Sequence, residues 1–312
     1  MNRRHPGTLL LQRSKMIFPG FLILLAGLML IQPVNTHART LKSVYVSILP
    51  QKYFVKRIAG KNVAVHVLVK PGKNPATYSP SPDQIKKLTA SDIYFRIGAP
   101  FENGFMHKIT SIADSIEIVD TRQGIAFRTM KSHGNKETDH GEKETDHDPR
   151  GKDHHIWMSP LLVKKQAQTI AEALIRFDPE NQQKYEVNLK EFIQDLDDLH
   201  ARLTTKLGRF KGENLFVFHP VFGYFTDAYG MNQVAIETMG KTPKGKELSS
   251  IIKLVKQEKV RVIFTQPQFD RYTAQKIASA IKGMVVSIDP LALDYLSNME
   301  TIADTIVSAL NQ

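Results

Sequence analysis

Short apolar runs alternate with helix-length segments along the first half of the chain. The runs are SVYVSIL (43–49), VAVHVLV (63–69), IYFRIG (93–98) and IEIVD (116–120). They are apolar on both faces, which is typical of parallel strands that helices cover on both sides of a sheet. After the second run, the residues Ser81–Gln84 predict a helix start with a reciprocal capping box.

The second half of the chain repeats this alternation. Its runs are LFVF (215–218), NQVAIE (232–237), VRVIFTQ (260–266) and MVVSI (284–288), and a helix-length segment follows each of them. We count about four strand–helix units in each half of the chain, which is the pattern of an open α/β sheet.

A long polar segment separates the two halves. Between about Glu180 and Phe210, its apolar residues are spaced as one helical stripe. The stripe consists of Leu189, Phe192, Ile193, Leu196, Leu199 and Leu203. A helix of up to about 30 residues would be about 45 Å long, which suits a strut between two lobes. We therefore predict an α/β protein whose two lobes of (β/α)4 type contain parallel sheets and are joined by a long backbone helix.

The first 38 residues have the pattern of a secretory signal peptide. Four Lys or Arg without any acid precede an apolar run from Met16 to Ile31, and small residues follow at Thr36 and Ala38. The run is short for a spanning helix, which needs about 20 residues, so we expect cleavage and export to a periplasm. The alternative is an uncleaved N-terminal anchor. The other predicted boundaries are 39–178 for the N-terminal lobe, 179–210 for the linking helix and 211–312 for the C-terminal lobe.

Composition narrows the chemistry that this chain can perform. The 312 residues include no Cys, which excludes disulfides, thiolate metal ligands and a lipid anchor on an N-terminal Cys. A transition-metal site must therefore use His and carboxylate side chains. The net charge of +11 superficially suggests nucleic acid as a partner. However, four of the basic residues leave with the signal peptide, the others are spread along helices, and export separates the protein from nucleic acid.

A polar, low-complexity segment at 131–154 interrupts the N-terminal lobe. It repeats the word KETDH, and its histidines recur every seven residues. The heptad has no apolar positions, which excludes a coiled coil. The segment predicts weak, high-capacity metal collection or sensing of excess metal, with a solvated insertion as the alternative. Its histidines are His133, His140, His147 and His154.

Three metal-binding side chains stand where open α/β sheets bind ligands. His219 and Asp289 each directly follow a predicted strand, and His155 precedes a helix start at Ser159. Two imidazoles and one carboxylate favour Zn²⁺ and the later transition metals over Ca²⁺ or Mg²⁺. The spacing alone leaves open that each histidine is only hydrogen-bonded at a sheet edge.

Six longer sequence words carry a family resemblance. They are VLVKPGKNPATYSPSPDQ (67–84), HIWMSP (155–160), FHPVFGYFTDAYG (218–230), GKTPKGKE (240–247), VIFTQPQF (262–269) and VSIDPLA (286–292). In their order and content they resemble the zinc and manganese solute-binding proteins of ABC importers, the ZnuA/TroA-like group. The resemblance covers essentially the whole exported chain. It implies two α/β lobes joined by a backbone helix, a metal ion between the lobes and delivery of that ion to a membrane permease.

The resemblance also implies a ligand set, which this chain meets only in part. Three family ligands correspond to His155, His219 and Asp289, but Ala76 occupies the position of the first family histidine. The fourth position then falls to water, to a histidine of the 131–154 segment or to a carboxylate. The candidate carboxylates are Glu102 and Glu237. We favour water or a carboxylate, because ordering a flexible segment costs conformational entropy.

These observations predict a binding protein without enzymatic activity. We expect a periplasmic monomer, without a lipid anchor, that binds Zn²⁺ with high affinity and delivers it to an ABC import permease. Mn²⁺ is the second candidate metal, because losing one imidazole favours harder ions. Aromatic side chains are expected to wall the site, namely Tyr78, Trp157 and Phe222. The alternatives are a metal-dependent hydrolase with a His₂Asp site and a surface-interaction protein whose metal site is degenerate.

Overall fold

The computed structural model describes residues 41–61, 63–112, 116–130, 151–237, 242–269 and 271–311. These ranges contain two four-stranded sheets, in which neighbouring strands pair in parallel. The prediction of two α/β lobes with parallel sheets is therefore confirmed. The signal-peptide prediction for 1–38 lies outside the described residues.

The N-terminal sheet has the strand order β2-β1-β3-β4. Its strands are β1 Ser43–Val46, β2 Ala64–Val67, β3 Ile93–Arg96 and β4 Glu117–Asp120. Its helices are α1 Leu49–Ala59, α2 Pro82–Thr89, α3 Pro100–Asn103 and α4 Met106–Ile112. The strands are shorter than the apolar runs, because residues such as Ile48 and Ile97 continue into loops and are buried there.

The predicted capping box at the start of α2 is confirmed. The Ser81 Oγ accepts a hydrogen bond from the Gln84 N–H, and the Gln84 side chain accepts one from the Ser81 N–H. The helix-length segment after β3 is divided into the two helices α3 and α4. Gly104, a poor helix former, lies at this break.

The C-terminal sheet has the order β6-β5-β7-β8, which repeats the topology of the first sheet. Its strands are β5 Asn214–Val217, β6 Asn232–Ala235, β7 Val262–Thr265 and β8 Met284–Ser287. Its helices are α7 Gly223–Tyr229, α8 Gly245–Gln257, α9 Arg271–Ala280 and α10 Tyr295–Leu310. The order reverses between β5 and β7, so their carboxyl ends open a crevice in which such sheets bind ligands.

The long linking helix is packed along its length. After α5 (Pro160–Phe177), helix α6 spans the 26 residues Gln182–Leu207, about 39 Å at 1.5 Å per residue. Short 3₁₀ turns at Pro179–Asn181 and Gly208–Phe210 flank it, so it is shorter than the stripe suggested. Helix α6 contacts α1 and α5 of the N-terminal half and α7 and α10 of the C-terminal half.

One hydrophobic core runs through both lobes. Phe54 of α1 packs against Phe192 of α6 and Tyr295 of α10, with ring centroids 5.9 and 5.0 Å away. A smaller cluster fills the space that α8 and α9 cover in the C-terminal lobe. Because α6 contributes to the shared core, the same apolar contacts stabilise both lobes.

Leu199→Ala is expected to destabilise the protein by about 2–5 kcal/mol, because the fully buried side chain leaves a cavity in the shared core. Val187→Ala on the same helix is the matched control. Val187 is 51% exposed, and its replacement is expected to change stability by less than about 0.5 kcal/mol. Urea unfolding followed by circular dichroism measures both changes. Equal costs for the two variants would contradict the assigned role of α6 in the core.

Candidate metal centre

The structure brings two of the candidate ligands together. His219 lies at the carboxyl end of β5, and His155 lies just before the 3₁₀ turn Ile156–Met158 that leads into α5. Their ring centroids are 5.3 Å apart, and both side chains are largely buried. Two histidines that are 64 residues apart in sequence thus form one imidazole pair between the N-terminal and C-terminal halves.

A buried carboxylate orients each imidazole. The His155 Nδ1 donates to Asp153 Oδ1 at 2.7 Å, and the His219 Nδ1 donates to Glu237 Oε1 at 3.0 Å. Asp153 and Glu237 are 0% and 4% exposed. Because Nδ1 carries the proton in each of these hydrogen bonds, Nε2 is the nitrogen of each ring that can bind a metal. This is the usual arrangement of metal-binding histidines, whose second nitrogen is held by a carboxylate.

The surroundings keep His219 neutral. Burial lowers the pKa of His219 and outweighs the opposing effect of the Glu237 hydrogen bond. Burial alone would raise the pKa of Asp153, but His155 and Arg128 outweigh it, so this pKa is lowered. Asp153 is therefore an ionised acceptor for His155, and His219 offers the uncharged imidazole that a metal requires.

Asp289 lies just after β8 but is engaged elsewhere. Its Oδ1 accepts hydrogen bonds from the Gln268 Nε2 at 2.7 Å and the Leu291 N–H at 2.9 Å. Among the residues that the structure describes, no three His, Asp or Glu side chains are close enough together to hold one ion. The imidazole pair is thus assembled, whereas the predicted carboxylate ligand is hydrogen-bonded to its own lobe.

The segment after β7 contributes side chains that the sequence prediction missed. The Gln266 amide exchanges two hydrogen bonds of 3.2 Å with the backbone of His219. Phe269 stacks on the His219 ring with centroids 4.5 Å apart, and Gln268 holds Asp289. These residues belong to the word TQPQF, and its place at a predicted strand end is the signal that identifies it as a candidate ligand-binding segment.

Glu102 is buried in a different environment. Its Oε1 accepts hydrogen bonds from Ser47 Oγ at 2.7 Å and the Ile97 N–H at 3.0 Å. Its Oε2 accepts from the Gly98 N–H at 2.9 Å and from Arg96 Nε at 3.1 Å. Four protein donors thus occupy this carboxylate, which is a candidate fourth ligand by sequence. Its observed contacts tie the end of β3 to α3.

The expected aromatic wall is distributed unevenly. Trp157 lies edge-on to His155, with centroids 5.3 Å apart, and donates its indole N–H to the Pro290 carbonyl. Tyr78 packs against Phe101 and donates to Gln84. Phe222 is fully buried and packs edge-on to Phe225. Of the three predicted wall residues, Trp157 is the one with a described ring contact to a candidate ligand.

The remaining sequence candidates divide between two locations. Ala76 is exposed in the connection between β2 and α2. His154 is half-buried between Phe127 and Arg122, and burial together with Arg122 lowers its pKa to about 4. Three other histidines of the 131–154 segment lie outside the described residues, namely His133, His140 and His147.

Comparisons with known proteins match most of this chain. A family model described as zinc-uptake complex component A, periplasmic, matches residues 44–309. A crystal structure of ZnuA is 34% identical, covers 86% of this chain and 99% of that chain, and superposes with a TM-score of 0.79. The high-affinity zinc uptake protein ZnuA of Yersinia pestis is 25% identical over 93% of this chain and 95% of its own length.

A relative named for another metal also matches. The manganese ABC transporter substrate-binding lipoprotein PsaA of Streptococcus anginosus is 26% identical, with 69% of each chain covered. The hydrolase alternative is wrong, because the matched family consists of substrate-binding proteins and not of enzymes. With a family model that covers most of its length, this chain belongs to the ZnuA family of metal-binding, substrate-binding proteins of ABC importers.

Proposed function

We propose that this protein binds Zn²⁺ with high affinity in the periplasm and delivers it to an ABC import permease. The observation that carries the proposal is the pair of buried imidazoles, His155 and His219, each with its Nδ1 on a buried carboxylate. Such a pair presents two imidazole nitrogens as ligands, and nitrogen ligands favour zinc over calcium or magnesium.

The separation of the two rings supports a shared ion. Two imidazoles on one tetrahedral zinc, with Zn–N distances of about 2.0–2.1 Å, have ring centroids roughly 5 Å apart. The centroids of His155 and His219 are 5.3 Å apart. The pair therefore has the spacing of a zinc site without movement of either lobe.

Asp289 is the proposed third ligand. Its carboxylate would have to exchange the hydrogen bonds from Gln268 and Leu291 for the metal. We propose water as the fourth ligand, because the Ala76 side chain has no metal-binding atom and hydrogen bonds from protein donors occupy the Glu102 oxygens. Glu237 then serves as the hydrogen-bond partner of His219 and is not itself a ligand.

Names among the relatives support zinc as the first candidate and manganese as the second. A ZnuA deletion mutant with zinc bound is 34% identical to this chain, and PsaA is named for manganese. A site with two imidazoles and two oxygen donors has fewer soft ligands than a three-histidine site and should tolerate Mn²⁺ better.

The proposed location follows from the predicted signal peptide and the family description. Within the described ranges, no helix is both long and apolar enough to cross a membrane. We further propose that the protein acts as a monomer and that the histidines of the 131–154 segment collect metal weakly.

His155→Ala and His219→Ala should each weaken zinc binding by more than the 10–100-fold that loss of an outer hydrogen-bond partner costs, because each removes a ligand atom. His200→Ala is the matched control, since His200 lies on α6 beside Tyr229. Competitive titration with a fluorescent zinc chelator measures the affinities. Wild-type affinity in both ligand variants would contradict the proposed site.

Glu237→Ala should lower zinc affinity about 10–100-fold, because His219 loses the acceptor that orients it. The cobalt-substituted protein should keep the visible absorption of a four-coordinate ion, because the ligand count is unchanged. If the absorption of the cobalt-substituted variant instead indicates a changed coordination number, Glu237 is itself a ligand.

Glu102→Gln should destabilise the fold by about 1–3 kcal/mol and leave zinc affinity unchanged, because an amide cannot accept from all four donors around Glu102. Urea unfolding and zinc titration of the same sample measure the two effects. A tenfold loss of zinc affinity without a loss of stability would indicate that Glu102 is a metal ligand.

Deleting the gene in the source organism should reduce growth in medium treated with a metal chelator, and added zinc should restore growth. Complementation with the wild-type gene should restore growth without added zinc, whereas the His155→Ala form should not. Restoration by manganese and not by zinc would reverse the proposed order of metals.

A further inference from the structure

Arg128 links two carboxylates on opposite lobes, Asp153 beside the candidate ligand His155 and Asp227 on α7. Its Nη1 donates to Asp153 Oδ2 at 2.9 Å, and its Nε donates to Asp227 Oδ2 on α7 at 2.9 Å. Asp153 is the buried acceptor of His155, whereas the side chain of Asp227 is 57% exposed. One guanidinium thus connects the orienting partner of a candidate ligand to a helix of the C-terminal lobe.

The backbone around Arg128 is fixed on both sides. The Arg128 N–H donates to Tyr224 Oη at 3.1 Å, and Tyr224 Oη donates to the Asp153 carbonyl at 2.8 Å. The Asp153 N–H in turn donates to the Arg128 carbonyl at 2.9 Å. Arg128 and Asp153 are therefore paired through both backbone and side chain. The Tyr224 hydroxyl of the other lobe forms hydrogen bonds with the backbone of both residues.

The sequence leaves space for this contact at one glycine. A Cβ on Gly223 would lie 1.6 Å from the Arg128 Nη1 and 2.8 Å from Asp153 Oδ2. Both distances are shorter than any non-bonded contact that a Cβ makes. The guanidinium therefore passes directly over the first residue of α7, where a side chain would displace it.

We propose that Arg128 is a positioning residue for the candidate ligand His155. Through Arg128, the orientation of the His155 ring depends on the position of α7. The guanidinium holds Asp153 Oδ2, which leaves Oδ1 directed at the His155 Nδ1. The same guanidinium also binds Asp227. The orientation of His155, the candidate ligand from the N-terminal half, therefore depends on a contact with the C-terminal lobe. This inference rests on the proposed function, because it assigns a role toward the same metal ligands.

The charge of Arg128 and its shape both matter for this role. Asp153 is a fully buried carboxylate, and such a charge requires a partner in addition to His155. A lysine offers a single point charge and cannot hold two carboxylates with the planar fork of a guanidinium. Arg128→Lys should therefore still orient Asp153 toward the His155 Nδ1 in part. Arg128→Gln should no longer do so.

The experiment uses the purified, metal-free protein with ¹⁵N-labelled histidine. Long-range ¹H–¹⁵N spectra report which ring nitrogen of His155 carries the proton, and His155→Ala assigns the signal. Zinc affinity is measured on the same samples. Arg57→Gln is the matched control, because Arg57 is a partly buried arginine paired with Asp195 on α6 and has no described contact with the metal centre.

Wild type should show His155 protonated on Nδ1. Arg128→Gln should give a mixture of the two tautomers and about tenfold weaker zinc binding, at the lower end of the range for loss of an outer partner. Arg128→Lys should lie between the two, and Arg57→Gln should match wild type in both measurements.

An unchanged His155 signal in Arg128→Gln overturns the proposal, whatever happens to the affinity. An affinity loss of the same size in Arg57→Gln also overturns it, because the effect would then reflect general stability. If Arg128→Gln does not fold, Asp227→Ala removes only the outer contact, and its His155 signal should shift in the same direction by less. An unshifted signal there overturns the proposal. Absence of zinc binding in wild type refutes the proposed function, while the tautomer comparison still tests the role of Arg128.

Discussion

A histidine that is to bind a metal ion inside a protein must lose its solvent without gaining a proton. Burial of His219 favours the neutral ring, but a buried neutral imidazole still has a polar N–H that needs an acceptor. Glu237 and Asp153 meet this requirement for the two rings of the pair. Much of the surrounding structure follows from the need to hold these two carboxylates, since a buried charge is costly unless hydrogen-bonded or paired.

The two carboxylates are accommodated in different ways. Asp153 has a guanidinium partner, Arg128, which requires a glycine at the start of α7 and links the two lobes. Glu237 follows β6 at the carboxyl edge of the C-terminal sheet, close to the crevice between β5 and β7. The TQPQF segment after β7 stacks on one side of His219 and fixes its backbone. Parallel sheets supply such groups because the ends of several strands meet at one edge.

The shared core explains how two lobes can hold such a pair at a defined distance. Helix α6 contacts helices of both lobes, and Trp157 beside His155 donates to the carbonyl of Pro290 in the C-terminal half. Ring distances of a few ångströms between halves of the chain need a rigid connection. Dense apolar packing provides this rigidity, because well-packed interiors deform little.

Patterning in the sequence determined the strands, the linking helix and the capping box at Ser81, because these depend on the period of apolar residues and on local backbone hydrogen bonds. It also indicated His155 and His219 through their positions beside predicted elements. The tertiary structure alone decided the roles of the carboxylates. Glu102, Glu237 and Asp153 are the same kind of residue in the sequence. Glu102 accepts from four protein donors, Glu237 accepts from the His219 imidazole, and Asp153 accepts from the His155 imidazole and the Arg128 guanidinium. Only these folded partners separate the three residues, because no periodic pattern in the chain reports which donors will surround a carboxylate.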